Sequence, residues 1–165
     1  QMLAAANKEA AKPECANVEV VRADITRDLP IKRILQFGHN PVLVCLQNTL
    51  GTLEGSARDA LSQMDRVAHI SKADVVLSIF CQEALPSYGV QLYEKLRPMV
   101  GEIDYEKSNF ETGWLVTKTG YTSNWWMPEA RRVFKNHLVW GNRMAEEVDN
   151  GIYYILHVTH SPLTG

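Results

Sequence analysis

The chain has 165 residues and a mass of 18.6 kDa, enough for one domain and short for two. It is 45% hydrophobic and 22% charged, which argues against disorder; 17 Lys and Arg against 19 Asp and Glu give a net charge of −2, which argues against a general nucleic-acid binder. The longest apolar run, Pro41 to Leu46, is far too short to span a bilayer, the first residues carry no signal-peptide pattern, and Cys15, Cys45 and Cys81 are too scattered for a zinc site or a disulfide framework, so a reduced, cytoplasmic setting is expected.

Gln1 to Lys12 is rich in Ala, Lys and Glu and ends at Pro13, which predicts a helix. Val18 to Ala23 is β-branched and short, which predicts a strand ending on Asp24. Thr26 to His39 reads as a connector with one helical turn over Ile31 to Leu35. Pro41 to Leu46 suits a strand covered on both faces, as in a parallel sheet, and Gln47 to Gly51 a loop. Ser56 to Asp59 resembles a capping box, and Ala57, Ala60, Leu61, Met64, Val67 and Ala68 follow at helical spacing. Asp74 to Phe80 predicts a buried strand, and Pro86 to Arg97 a helix with Pro86 in its first turn. Gly101 to Met127 is long for a connector in a compact domain and reads as a lid or insertion. Pro128 to Asn136 predicts a short helix. Leu138 to Val148 and Ile152 to Thr159 predict strands joined through Asp149-Asn150-Gly151, a hairpin signal. Strands alternating with helices imply βαβ units. The expected fold is therefore one α/β domain over residues 1–165, with a mostly parallel sheet closed at its edge by an antiparallel hairpin.

These residues together resemble the class I S-adenosylmethionine (SAM)-dependent methyltransferases of the small-molecule subgroup, with a Rossmann-like sheet. Gln1-Met2-Leu3-Ala4-Ala5-Ala6 is similar to the helix start after the family's second strand. Val18 to Asp24 is similar to its third strand with a terminal acid, Val42 to Thr49 to its fourth strand and loop, and Val75 to Phe80 to its fifth. The block from Phe110 to Trp126 is similar to an insertion in a bacterial subgroup. The resemblance implies the family strand order 3-2-1-4-5-7-6. It also implies a glycine-rich loop and a ribose-binding acid on strands 1 and 2, and this chain has neither: Gly38-His39-Asn40-Pro41 precedes a strand instead of following one. Loss of those strands would open the sheet at its centre, so the chain is expected to work as the carboxyl-terminal part of a longer polypeptide or of a two-chain enzyme.

The resemblance implies SAM as cofactor, with Asp24 accepting a hydrogen bond from the adenine amino group and the Ile25 N–H nearby; Asp24 reads equally as the cap of a turn. Gln47, Asn48 and Thr49 follow the fourth strand, where neutral side chains would orient SAM or the acceptor; an Asx turn before Gly51 is the other reading. Phe80, Gln82, Tyr121, Trp125 and Trp126 are the candidate substrate-binding residues. The aromatics would box a cationic or planar acceptor, or plug the core. Cys81 reads as a small buried hydrophobe, Glu83 as a solvated acid or a general base, and Arg131, Arg132 and Lys135 as a solvated helix side. The five histidines have no ligand spacing, so no metal is expected. The implied reaction is methyl transfer to N or O of a small-molecule acceptor. The rival from another class is a non-catalytic methyltransferase-like partner subunit that has lost SAM binding. The absence of GxGxxG and the closing hairpin argue against a nucleotide-binding oxidoreductase.

Overall fold

A computed structural model of the chain describes residues 2–15, 17–27, 29–37, 41–53 and 55–160. The amino-terminal helix forms as expected, as α1 (Met2–Ala10), and the turn in the connector as α2 (Ile31–Ile34). The main sheet contains β1 (Val42–Cys45), β2 (Asp74–Phe80), β5 (Arg143–Asp149) and β6 (Tyr153–His160), in the order β1-β2-β6-β5. Between β1 and β2 runs α3 (Ala57–Ser71); after β2 come a π-helical turn (Leu85–Gly89) and α4 (Val90–Val100). A separate hairpin, β3 (Trp114–Val116) with β4 (Thr122–Asn124), precedes α5 (Pro128–Leu138).

The sheet is mixed and mostly antiparallel, not mostly parallel. Only β1 and β2 pair parallel; β2 with β6 and β6 with β5 pair antiparallel. The cause is the tight turn at Asp149–Gly151, where Asn150 Oδ1 accepts from the N–H groups of Ile152 and Tyr153 at 3.0 and 2.8 Å. It sends the last strand back beside β2, so the antiparallel hairpin closes one edge of the sheet, as expected, with β5 outermost. Two antiparallel steps leave β5 running in the same direction as β1 and β2.

Four local expectations also need correction. Residues 18–23 form no strand: Val18 is exposed, Glu19 pairs with Arg33, and without a ladder β-branched residues alone do not hold an extended chain in a sheet. The β1 run is covered on one face only: Cys45 is buried, while Val42 and Val44 are 53% and 56% exposed at the open edge of the sheet. Ser56 makes no side-chain cap; its carbonyl instead accepts from Ala60 N–H at 3.1 Å. Leu138 closes α5 rather than opening β5, because its fully buried side chain belongs to the helix face that carries Phe134.

The core lies in two parts. Alternation along β2 turns Val75, Leu77 and Ile79 toward α3 and α5, where they meet Leu61, Met64, Phe134, Leu138 and Leu156. Phe80 turns into a second cluster with Leu85, Tyr93, Ile103, Leu115 and Trp125. This cluster fastens residues 101–127 to the end of β2, so the segment is packed and carries its own hairpin. On the sheet face away from α3, Met144 and Val148 are each 57% exposed, and with Val42, Val44 and Ile155 they leave an apolar surface open. Among the described residues no helix is long and apolar enough to cross a membrane.

Leu77 is fully buried in β2, which pairs with β1 on one side and β6 on the other. Leu77→Ala is expected to destabilise the protein by about 2–5 kcal/mol, read as a lowered urea midpoint with an unchanged m-value.

Candidate functional site

The carboxyl ends of β1, β2 and β5 lie at one end of the sheet, where α/β folds gather ligands. The chain leaves β1 through two consecutive left-handed residues, Gln47 (φ 55°) and Asn48 (φ 60°). Asn tolerates this conformation better than most residues, and its side chain holds the turn in place. Asn48 is 1% exposed. Its Nδ2 donates to Ser123 Oγ at 3.2 Å and to Asn124 O at 2.9 Å. Its Oδ1 accepts from Phe80 N–H at 3.2 Å and from the Trp126 indole N–H at 3.0 Å. Its backbone N–H donates to Ser78 O at 3.1 Å. A single amide has two donors and two acceptor sites, and all are filled here. Asn48 thus ties the end of β1 to β2, to β4 and to the aromatic segment. Gly51 permits the close approach, since a Cβ there would overlap both Asn124 O and the Asn48 amide.

The other expected site residues divide around this knot. Trp126 runs beside β2: its N–H donates to Phe80 O at 2.8 Å, and its carbonyl accepts from Gln82 N–H at 3.2 Å. Its ring sits edge-on to Phe134 at 4.7 Å. Gln82 Nε2 donates to Phe110 O at 2.7 Å, holding the insertion to the end of β2. Phe80 and Trp125 meet at 4.4 Å between ring centroids, tilted by 39°, inside the second core. Trp125 is fully buried with its indole N–H unpaired. Burying an indole removes roughly 200 Å² from water, about 5 kcal/mol of transfer, which outweighs the roughly 1–3 kcal/mol cost of one unmet donor. Tyr121 is half-buried against Tyr93, and burial first, then the Tyr93 hydroxyl, pushes its pKa up. Thr49 caps its own turn, its hydroxyl donating to Leu46 O at 2.7 Å.

Asp24 and Ile25 lie apart from this group. They line an open cleft with Arg22, Thr26 and Leu53. Asp24 Oδ1 accepts from the Thr26 hydroxyl at 2.7 Å and from Thr26 N–H at 2.9 Å, and these bonds hold its carboxyl below the usual range. Ile25 packs partly against the first core.

Arg131 was not expected in the site. It is buried, donates to Glu83 Oε1 at 2.6 Å, and lies 3.5 Å from Asp149 Oδ2 and 6.0 Å from the Tyr154 ring centroid. The signal was its spacing: Arg131, Phe134 and Leu138 share one face of α5. Cys81 lies beside this cluster, its thiol 3.7 Å from Asp149 Oδ1. Burial pushes its pKa up to about 11 despite the Arg131 charge, so the thiolate nucleophile is scarce at neutral pH. Glu147 is bonded by Lys135 and, at 2.7 Å, by the Tyr154 hydroxyl, which lower its pKa. Among the described residues no group of three or more His, Cys, Asp or Glu is placed to hold a metal.

Beside Trp126, a cleft of about 400 Å³ opens between residues 112–126 and the first turn of α5; Thr112, Asn124, Trp125, Trp126, Met127, Glu129 and Ala130 line it. Of these Trp125 and Trp126 were expected at a site. Met127, Glu129 and Ala130 carried no motif, and only the fold brings them beside the ring. Compared with known proteins, the chain matches no family model and no curated protein sequence.

Asn48→Ala strands the Phe80 and Trp126 donors at once. It is expected to cost about 2–5 kcal/mol and to shift tryptophan emission to the red as Trp126 loosens. A loss under about 0.5 kcal/mol, measured by urea titration, would show the amide to be incidental. The lowered Glu147 pKa means that its ionised form stabilises the fold above its ordinary value of 4.5, and this contribution is lost as pH falls through the folded value. Glu147→Gln should therefore flatten the acid limb of the stability profile below about pH 4.5, measured as urea midpoint against pH.

Proposed function

We propose that the protein takes part in SAM-dependent methyl transfer to a small-molecule acceptor, as the carboxyl-terminal part of a longer or two-chain enzyme. The observation that carries this reading is the strand order. In β1-β2-β6-β5 the last strand runs antiparallel between two strands that share a direction. The same order, 4-5-7-6, is what the methyltransferase resemblance implies for the second half of a Rossmann-like sheet. The open β1 edge and the exposed apolar face beside it support the part-enzyme reading, since a parallel pair is stable when covered on both faces.

In the proposed reaction a lone pair on acceptor N or O attacks the SAM methyl carbon. The N–C or O–C bond forms as the S–C bond breaks, its electrons return to sulfur, and the positive sulfonium becomes a neutral thioether. The acceptor then loses a proton to solvent or a nearby carboxylate. Sulfur is a good leaving group, so the protein's task is alignment and exclusion of water. Asn48 and Gln82 would contribute by holding the aromatic wall in place, since their amides are already committed to it.

One observation favours the rival reading of a non-catalytic methyltransferase-like subunit. The groups expected to grip SAM already have partners in the chain: the exposed Asp24 bonds Thr26, and the buried Asn48 makes four internal bonds. Calorimetric titration of the full-length natural protein with SAM separates the two. Saturable binding, weakened about tenfold by Asp24→Ala, is expected. No binding would make it the non-catalytic subunit, and unchanged affinity in a folded Asp24→Ala protein would remove Asp24 from the site.

A further inference from the structure

We infer that the cleft between the Trp126 segment and the first turn of α5 binds a small amine, with a flat or apolar body against Trp126 and a protonated nitrogen at Glu129. As a methyl acceptor this amine would first pass its proton to Glu129 or solvent, freeing the lone pair that attacks, and in that role it rests on the function proposed above; as a ligand of the cleft it rests on the walls alone. The volume, about 400 Å³, falls in the range of small-molecule sites. The Trp126 indole N–H is taken by Asn48 and the ring is braced edge-on by Phe134. What the ring can offer a ligand is therefore its π surface, held rigid before binding. Met127 and Ala130 extend the apolar wall.

Glu129 is the charged residue among the described lining of the cleft. Its carboxylate has no ion pair or hydrogen bond among the described residues, and Arg132, three residues on, does not reach it. Arg131, the nearest buried cation in sequence, is committed to Glu83 and Asp149. The end of α5 contributes roughly half a positive charge, which would disfavour a cation, but the full negative charge of Glu129 exceeds it. A carboxylate beside an aromatic face is the combination that binds ammonium groups through ion pairing and cation–π contact.

The test is titration of the full chain, without SAM, with three probes of one shape: phenethylamine, 2-phenylethanol and 3-phenylpropionate. Two-dimensional NMR follows the Trp126 indole resonance. Phenethylamine is expected to shift that resonance and to bind about 5- to 30-fold more tightly than the other two. Glu129→Gln, and Glu129→Ala as its check, should erase the preference and leave 2-phenylethanol binding unchanged. Equal or tighter binding of the alcohol or carboxylate, an unmoved Trp126 resonance, or no binding by any probe would overturn the assignment. Because SAM is absent, amine binding with no SAM binding elsewhere would sink the methyl-transfer reading and leave the cleft standing.

Discussion

The side-chain amide of Asn48 is the point at which three parts of the molecule are bonded to one group. It takes the end of β1, the end of β2 and the aromatic segment between β4 and α5, and it fills every donor and acceptor it has. A buried amide left unmet costs several kcal/mol, so the arrangement is all or nothing. Its consequences run outward. Trp126 is fixed beside β2, Gln82 pins the insertion, and Phe80 and Trp125 close the second core. The cleft by α5 exists because the indole forming one wall is held from behind.

Around this knot the energetics are ordinary. The first core is a sheet face under two helices, with alternating β2 residues against the apolar stripes of α3 and α5. The second core is aromatic and turns residues 101–127 into a packed unit. Ion pairing at the carboxyl end of the sheet centres on Arg131, whose carboxylate partners are half-exposed, so it positions α5 against β2 and β5 more than it stores stability.

Much of the element pattern could be read from the chain. The stripe Ala57, Ala60, Leu61, Met64, Val67 and Ala68 announced α3, and Asn150-Gly151 announced the hairpin, because helical spacing and turn chemistry are local. What was not local went astray. Val18 to Ala23 had the composition of a strand, but pairing is a property of neighbours, and no ladder forms there. The run in β1 looked buried on both sides, yet Val42 and Val44 face outward because nothing in the described chain covers them. Asn48 was noticed as a polar residue after an apolar run. That it would bond Ser123 and Asn124, some 75 positions away, has no sequence signature. Arg131 was misread because a charge suggests solvent, although its spacing with Phe134 and Leu138 placed it inward.

The Asn48 linkage is the claim on which the site depends, and amide hydrogen exchange tests it in the unaltered protein. The Phe80 amide and the Trp126 indole N–H both donate to Asn48 Oδ1. Both should exchange only through global opening, with protection matching that of Leu77 and Ile79 in the centre of β2. If the Trp126 indole proton instead exchanges at the rate of a free indole while β2 stays protected, the knot does not exist and the cleft has no fixed wall.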